Sequence, residues 1–387
     1  MADSLLILNA GSSSIKYAVY RVENTELSVK TKGQIENIGG LGRFHAGDFS
    51  EDIPAANHAQ ALGYLKNWLL EQNDLGTLLG VGHRVTHGGA SFSKPVLIDD
   101  EVLAQLRALN PLAPLHQPHN LSGIDAVRGA GDLPSVACFD TAFHATQPEI
   151  VKRFALPDGL YQQGVRRYGF HGLSYDYISQ YMARELPERH NGKVLVAHLG
   201  NGASLCAMVN GRSLETSMGF SALDGLCMGT RCGRIDPGVL LYLMQSEGMN
   251  AQDLEDLLYR QSGLLGLSGI SADMRQLLES AEPSAALAVD YFVHQLNREV
   301  GALTATMGGL DTLVFTGGIG ENSRQVRARF AEQAQWLGIV FDANANEKNA
   351  SVISAPDSRV ELRIIPTNEE QMIARQTLAV LQGHELD

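Results

Sequence analysis

The sequence predicts an α/β chain in which one domain design is used twice, and three observations point that way. At 387 residues the chain exceeds what a single hydrophobic core ordinarily serves, so two domains are the default. Ser4–Tyr20, SLLILNAGSSSIKYAVY, joins an apolar run to a polar tip of small residues and an alternating second run, the pattern of a β-hairpin. Lys193–Asn210, KVLVAHLGNGASLCAMVN, repeats strand, small-residue loop and strand at a spacing too long for a solenoid.

The first hairpin turns at Asn9 to Ser14. Gly11, Ser12, Ser13 and Ser14 carry no bulk, so backbone N–H groups and hydroxyls can approach one anion, with Lys16 close behind. No Walker loop occurs, and an ordinary Ser/Gly turn is the bland alternative. A further strand is expected over 29–38, a surface turn over 39–48, and an amphipathic helix over 57–72 with Leu62, Leu65, Trp68 and Leu69 on its apolar face. LLGVGHRVTHGG, residues 78–89, starts as a buried strand and delivers Arg84 to its end. A buried guanidinium needs a partner, so Arg84 is a structural ion pair or, less favoured from the sequence alone, an anion clamp.

A helix over 99–110 ends at Pro111. LAPLHQPHN, residues 112–120, reads as a rigid proline-fixed loop presenting His116 and His119. The strand ending at Asp140 puts a carboxylate where open α/β sheets hold ligands, or else supplies an N-cap. YGFHGLS presents His171 before a helix over 175–186 capped by Ser174. The glycine-rich stretch 217–238 is long, irregular and too apolar for disorder, and carries Arg231 as a second anion-clamp candidate. Helices are expected over 238–246, 251–261, 271–280 and 284–307. DTLVFTGGIGEN is a buried strand, a diglycine loop and a helix start that lacks the third glycine of a dinucleotide fingerprint. A last strand over 359–366 leads to a helix over 368–382 with a Thr367/Glu370 capping box, which explains Glu370 but not Glu369.

The formal net charge is −13, which argues against nucleic acid or an anionic membrane as partner. The four cysteines show no CxxC spacing and suit free thiols in a reducing compartment. No export signal or membrane-spanning run is apparent, so a cytoplasmic location is expected.

Taken in order, NAGSSSIK, HRVTHGG, LAPLH, FDTAFH, YGFHG, HLGNGAS, MGTRCG, SADMR, FTGGIGEN and PTNEE resemble the motifs of the acetate and propionate kinases over nearly the whole chain. That resemblance implies the duplicated actin-like ATPase fold of acetate and sugar kinases, Hsp70 and actin: two βββαβαβα domains with an interdomain cleft for ATP. It implies an N-terminal domain of residues 1–145 plus 370–387 and a C-terminal domain of 146–369 bearing nucleotide-binding and dimer surfaces. A homodimer and Mg²⁺, with Mn²⁺ as substitute, are also implied. By the same resemblance Asn9 and Glu369 hold the metal. Ser12, Ser14, Lys16, His198, Leu199, Gly200, Asn201, Gly202, Asp273, Met274, Arg275, Gly318, Ile319, Gly320, Glu321 and Asn322 bind nucleotide. Arg84, Asp140, His171 and Arg231 fall on catalytic positions with His116 beside them.

Arg84, Thr86, Leu115, Phe170 and Ala222 resemble the acyl site. Thr86 stands where many acetate kinases have Val, and Ala222 where they have Pro, so a longer acyl chain or a water could be admitted. Gln117 replaces a common Asn, and YGFHGLSY lacks the usual Thr and His. The implied reaction is transfer of the γ-phosphoryl group of ATP to acetate, with propionate as the alternative and a nucleotide-gated Hsp70-like module as the reading of another class. A carboxylate nucleophile is ionised at neutral pH and needs no general base, so the site should supply cations and hydrogen-bond donors. Arg84 is expected on the substrate carboxylate and Arg231 with His171 on the phosphoryl in transfer. Asp140 orients Mg²⁺ or an arginine, or exchanges a proton.

Overall fold

The computed structural model describes residues 3–72 and 75–384. The chain divides into two compact units, Met1–Phe143 with Asn368–Asp387, and His144–Thr367.

The first unit carries β1 (Asp3–Ala10), β2 (Ile15–Glu23), β3 (Glu26–Glu36), β4 (Gly40–Ala46), β5 (Phe49–Ala55), β6 (Thr77–Val85), β7 (Val96–Leu97) and β8 (Ser135–Phe139). They form one sheet in the order β5-β4-β3-β2-β1-β6-β8-β7. β1 to β5 run as an antiparallel meander, whereas β6 is parallel to β1 and β8 parallel to β6. Side chains alternate across a strand, so β1 serves two cores. Leu6, Leu8 and Ala10 join Leu62 and Leu65 of the His58–Leu70 helix and Val127 of the Gln117–Ala130 helix. Ile7, on the alternate face, lies with Gly82 against Ile373 and Thr377 of the Glu369–Leu381 helix. Each such fully buried aliphatic contributes about 1.5–3 kcal/mol.

Two expectations fail here. The 39–48 stretch is not one turn: Gly40–Ala46 is a strand that pairs with β5 along its length and with β3 from Arg43, and the chain reverses only at its ends, at Gly39 (φ +127°) and Gly47 (φ +57°). The 112–120 stretch is not a proline-fixed loop either, because a helix begins at Gln117 with Pro118 in its first turn, where a missing N–H costs nothing.

In the second unit β9 (Lys193–Leu199), β10 (Ala203–Val209), β11 (Arg212–Thr216), β12 (Thr312–Thr316) and β13 (Glu361–Ile364) form a sheet ordered β11-β10-β9-β12-β13. β9 to β11 are antiparallel, then β12 is parallel to β9 and β13 to β12. Set β4, β5 and β7 aside and the first sheet has the same order and directions, which is the duplication the hairpin repeat announces. The Pro283–Met307 helix buries Ala285, Ala288, Val289, Phe292, Leu296, Val300 and Leu303 at helical spacing and stops at Gly308 in the left-handed region.

The helix expected from 175 starts at Gly172, with His171 at the N-cap position and Ser174 inside its first turn. The last helix is capped by Asn368, whose side chain accepts from Gln371, so the Thr367/Glu370 box does not form. At the end of β12 the helix Gly317–Asn322 begins at once, with no diglycine loop. Among the described residues no helix is long and apolar enough to cross a membrane.

Two buried histidines make stability pH-dependent. Burial lowers His83 to about 3 and His144 to about 4. Both stay neutral in the native state while the unfolded chain takes up protons below about pH 6.5, so stability rises with pH across that window. Each histidine should remove about 2 kcal/mol between pH 7 and 5. Unfolding free energies from urea titrations at the two pH values should therefore converge by that amount in His83→Gln relative to the parent; parallel losses would contradict the assignment.

Candidate active site

In the first unit β1 and β2 pair down to Ala10 and Ile15, with Asn9 opposite Lys16. The tip is closed by the Gly11 N–H donating to the Ser14 carbonyl at 2.8 Å. Ser12 and Ser13 are exposed and Ser14 half-buried, so the hydroxyls expected to meet phosphate are at the surface of this unit. The neighbouring β6 brings Arg84 beside Asp140, which follows β8. Arg84 Nε donates to both Asp140 oxygens at 3.0 and 3.1 Å and Nη2 donates to Oδ2 at 2.6 Å. Asp140 is 1% exposed; its carboxylate fixes one edge of the guanidinium plane.

That fork answers the question about Arg84: it is an ion pair and retains the means to be a clamp. Of the five guanidinium N–H groups, Asp140 uses those on the Nε–Nη2 edge, and Nη1 reaches Asn9 Oδ1 at 3.4 Å. The Nη1–Nη2 end still presents donors to a second anion. Burial alone would weaken the charge on Arg84, but Asp140 and Glu369 hold its pKa above the ordinary value. Burial raises the Glu369 carboxyl, against the pull of Arg84. His116 occupies the N-cap position of the Gln117–Ala130 helix, and Leu115 is half-buried beside it. Thr86 is buried, and its hydroxyl donates to Asn120 Oδ1 at 2.9 Å. The polar atom that distinguishes it from Val is thus already used.

In the second unit the β9–β10 hairpin turns at Gly200, Asn201 and Gly202, the Gly200 N–H donating to the Gly202 carbonyl at 3.0 Å. A Cβ on Gly202 would lie 2.9 Å from Arg231 Nη2 and 3.3 Å from His171 Nε2. The fingertip, the arginine and the imidazole therefore converge on one point, and only glycine leaves room for them. His171 Nδ1 is hydrogen-bonded to Ser204 Oγ at 2.8 Å, Ser204 also meets the Tyr175 hydroxyl, and the His171 ring stacks on His198 at 4.4 Å. His198 Nδ1 meets Ser174 Oγ at 2.8 Å, and Ser174 donates to Thr367.

Arg231 is aimed by the irregular stretch around it. Its Nη1 donates to the Ala222 carbonyl at 2.8 Å, and the loop is pinned where the Gly229 N–H donates to the Asn201 carbonyl and the Leu264 N–H to that of Met228. Gly263, at φ +65°, lets the Gly263–Ser268 helix pack on the Met228 and Arg231 backbone, where a Cβ would clash at 2.2 Å. Phe170 is 2% exposed and lies in the hydrophobic core of this unit, with Leu199 and Ala222 against the same cluster.

His171 sits at φ +58°, a left-handed conformation costing a side chain with Cβ about 1 kcal/mol or more. Asparagine tolerates it, because its short polar side chain can hydrogen-bond to the local backbone. His171→Asn is expected to match the parent in thermal stability and to lose about 10²-fold in kcat; equal losses in stability and rate would make His171 merely structural.

The remaining segments differ in what they offer. Asp273 caps the Met274–Glu279 helix and pairs with Arg275 at 2.6 Å, while Met274 is buried. In Gly318–Asn322 the Glu321 carboxylate turns inward, accepting from Gly317 N at 2.8 Å and Thr367 N at 3.1 Å. Asn322 donates to the Gly318 carbonyl, and Ile319 packs partly against the core. Glu321 thus braces the first turn of the Gly317–Asn322 helix against Thr367. Asn120, Ser204 and Tyr175 escape the sequence reading, and Ser174 is read there only as a cap, although a serine within the apolar run of β10 signals a hydroxyl in need of a partner.

Residues 4–375 match the family model described as the Acetokinase family. The chain belongs to that family. It is 51% identical to an acetate kinase of Rhodopseudomonas palustris over 99% of this chain and 100% of that one. It resembles the solved acetate kinase of Porphyromonas gingivalis with TM-score 0.88 at 38% identity, covering 98% of this chain and 100% of that one. A propionate kinase of Francisella tularensis subsp. tularensis aligns with TM-score 0.91 at 37% identity, over 97% and 98%. Membership of the acetokinase family makes the chain a carboxylate phosphotransferase of duplicated actin-like fold, with ATP as its nucleotide.

Proposed function

We propose that this chain reversibly transfers the γ-phosphoryl group of ATP to acetate, giving acetyl phosphate and ADP. The carrying observation is the Arg84–Asp140 fork: a buried carboxylate holds one edge of an arginine and leaves its end to an anionic acceptor. Acetate is already ionised and attacks through a carboxylate oxygen, so the chain's residues bind and orient rather than remove a proton. Arg84 binds the acceptor carboxylate, and Asp140 orients Arg84. Arg231 and His171 donate to the equatorial oxygens of the phosphoryl group as charge spreads over them. In the first unit the Ser12–Ser14 tip with Lys16, and in the second the Gly200–Gly202 tip, each offer small residues and backbone N–H groups suited to phosphate.

The donors around Arg84 suit a hard divalent cation: an amide oxygen from Asn9 and a carboxylate, Glu369, which burial makes a reluctant anion. Mg²⁺ would be held by those two residues, with Mn²⁺ able to replace it, and when bound it supplies charge neutralisation on the phosphates. Asn9 Oδ1 also faces Arg84 Nη1, so a bound cation would compete with that guanidinium for this oxygen.

Thr86 favours a small acyl group, because its hydroxyl is engaged by Asn120 and what remains of the side chain is a methyl. Ala222, smaller than the usual Pro, and the likeness to a propionate kinase support propionate as a second acceptor. Kinetics over formate, acetate, propionate and butyrate test this: kcat/KM should peak at acetate with propionate within about tenfold and butyrate far below, since one methylene is worth about 1–3 kcal/mol. A peak at butyrate would overturn the reading.

Homodimerisation through the second unit is part of the proposal. The Pro237–Gln245 helix, PGVLLYLMQ, buries none of its residues, and Leu241 is 56% exposed. Ile235 and Leu267, also exposed, line a neighbouring hollow of about 360 Å³. Exposed apolar surface of this kind marks association. Leu241→Arg should halve the sedimenting mass; a monomeric parent would refute the dimer.

A further inference from the structure

We propose that Asn120, seconded by Gln117, is a positioning residue that indexes the phosphate-binding finger against the acceptor-binding strand end. The inference rests on the reading of Arg84 and Thr86 as acceptor-side groups and of Gly11–Ser14 as a phosphate finger. The parallel ladder between β1 and β6 runs only to Leu8 and His83. Beyond it the chain continues to Ala10 on one side and Thr86 on the other, the place where open α/β sheets bind ligands.

One carboxamide spans that gap. Asn120 Nδ2 donates to the Ala10 carbonyl at 2.7 Å, and its Oδ1 accepts from Thr86 N at 3.0 Å and from the Thr86 hydroxyl at 2.9 Å. One helical turn earlier, Gln117 Oε1 accepts from His87 N at 3.1 Å and Nε2 donates to the His87 carbonyl at 3.0 Å. Gln117 is 0% and Asn120 5% exposed. His58 Nε2–H completes the arrangement by donating to the Gly11 carbonyl at 2.7 Å. These side chains lie on the first turns of helices, so the finger and the strand end are set by rigid elements rather than by loops. Placement errors of about 1 Å at reacting groups cost up to about 10²-fold in rate or affinity.

A role confined to stability would lower the melting temperature and leave the kinetics of the folded enzyme unchanged. The test is steady-state kinetics and melting temperature for full-length Asn120→Ala, Asn120→Asp and Arg84→Ala. Asn120→Ala should raise KM for both ATP and acetate about tenfold or more. Asn120→Asp keeps the acceptor for Thr86 but cannot donate to Ala10, so it should raise KM for ATP more than KM for acetate, and it decides the matter if the alanine variant does not fold. Unchanged KM values, or equal shifts in Asn120→Asp, overturn the proposal. Arg84→Ala separates the two failures. If it raises KM for acetate while the Asn120 variants do not, the indexing role alone falls; if it leaves acetate kinetics intact, the acceptor-side reading falls with it.

Discussion

Arg231→Ala is expected to lower kcat by about 10³ while KM for ATP and acetate stay within about threefold. Arg231 Nη2 and His171 Nε2 meet above Gly202. Nη1 of Arg231 is anchored on the Ala222 carbonyl, and its loop is tied by backbone bonds to Asn201, Ser262 and Leu264. A guanidinium held so firmly is preorganised, and preorganised charge acts where negative charge develops. Arg231→Lys should recover little, because an ammonium cannot keep the Ala222 bond and present a second donor in the same plane. A large rise in KM at unchanged kcat would instead make Arg231 a binding group.

Asp140→Asn should raise KM for acetate by about 10²-fold and lower stability by about 2 kcal/mol. Removing one partner of a buried pair ordinarily costs 3–5 kcal/mol, roughly, but Arg84 is 24% exposed and solvent screens part of the loss. The substitution keeps the shape of the side chain and sets an NH₂ group against the guanidinium edge, so Arg84 loses both charge partner and orientation. Kinetics with varied acetate and urea unfolding measure the two effects. An unchanged KM for acetate, with only stability reduced, would confine Asp140 to the fold.

How much was legible depends on the physical scale of each signal. The two hairpins could be read because strand alternation and small-residue tips are local, and their duplication emerges in sheets of matching order. Arg84 was legible as a residue in need of a partner, yet Asp140 lies 56 positions away, and nothing local pairs them. The Gln117–Ala130 helix was hidden by Pro118, which local reading takes as a breaker although the first turn accommodates it. Ser174 looked like a cap because serine favours that position; the αL conformation of His171 starts the helix earlier and frees Ser174 to join His198 to Thr367. Likewise Asn368 took the capping role from Thr367, whose N–H is used by Glu321. The Asn120 carboxamide joins Ala10 to Thr86 over 110 and 34 positions, a relation only the folded chain displays.

In the proposed reaction the phosphoryl group leaves ATP for a carboxylate oxygen of acetate. Hydroxylamine added to the enzyme with ATP, Mg²⁺ and acetate converts any acyl phosphate to a hydroxamate, so ADP and acetohydroxamate should appear in equal amounts and depend on acetate alike. ADP released with phosphate and no hydroxamate would contradict the account.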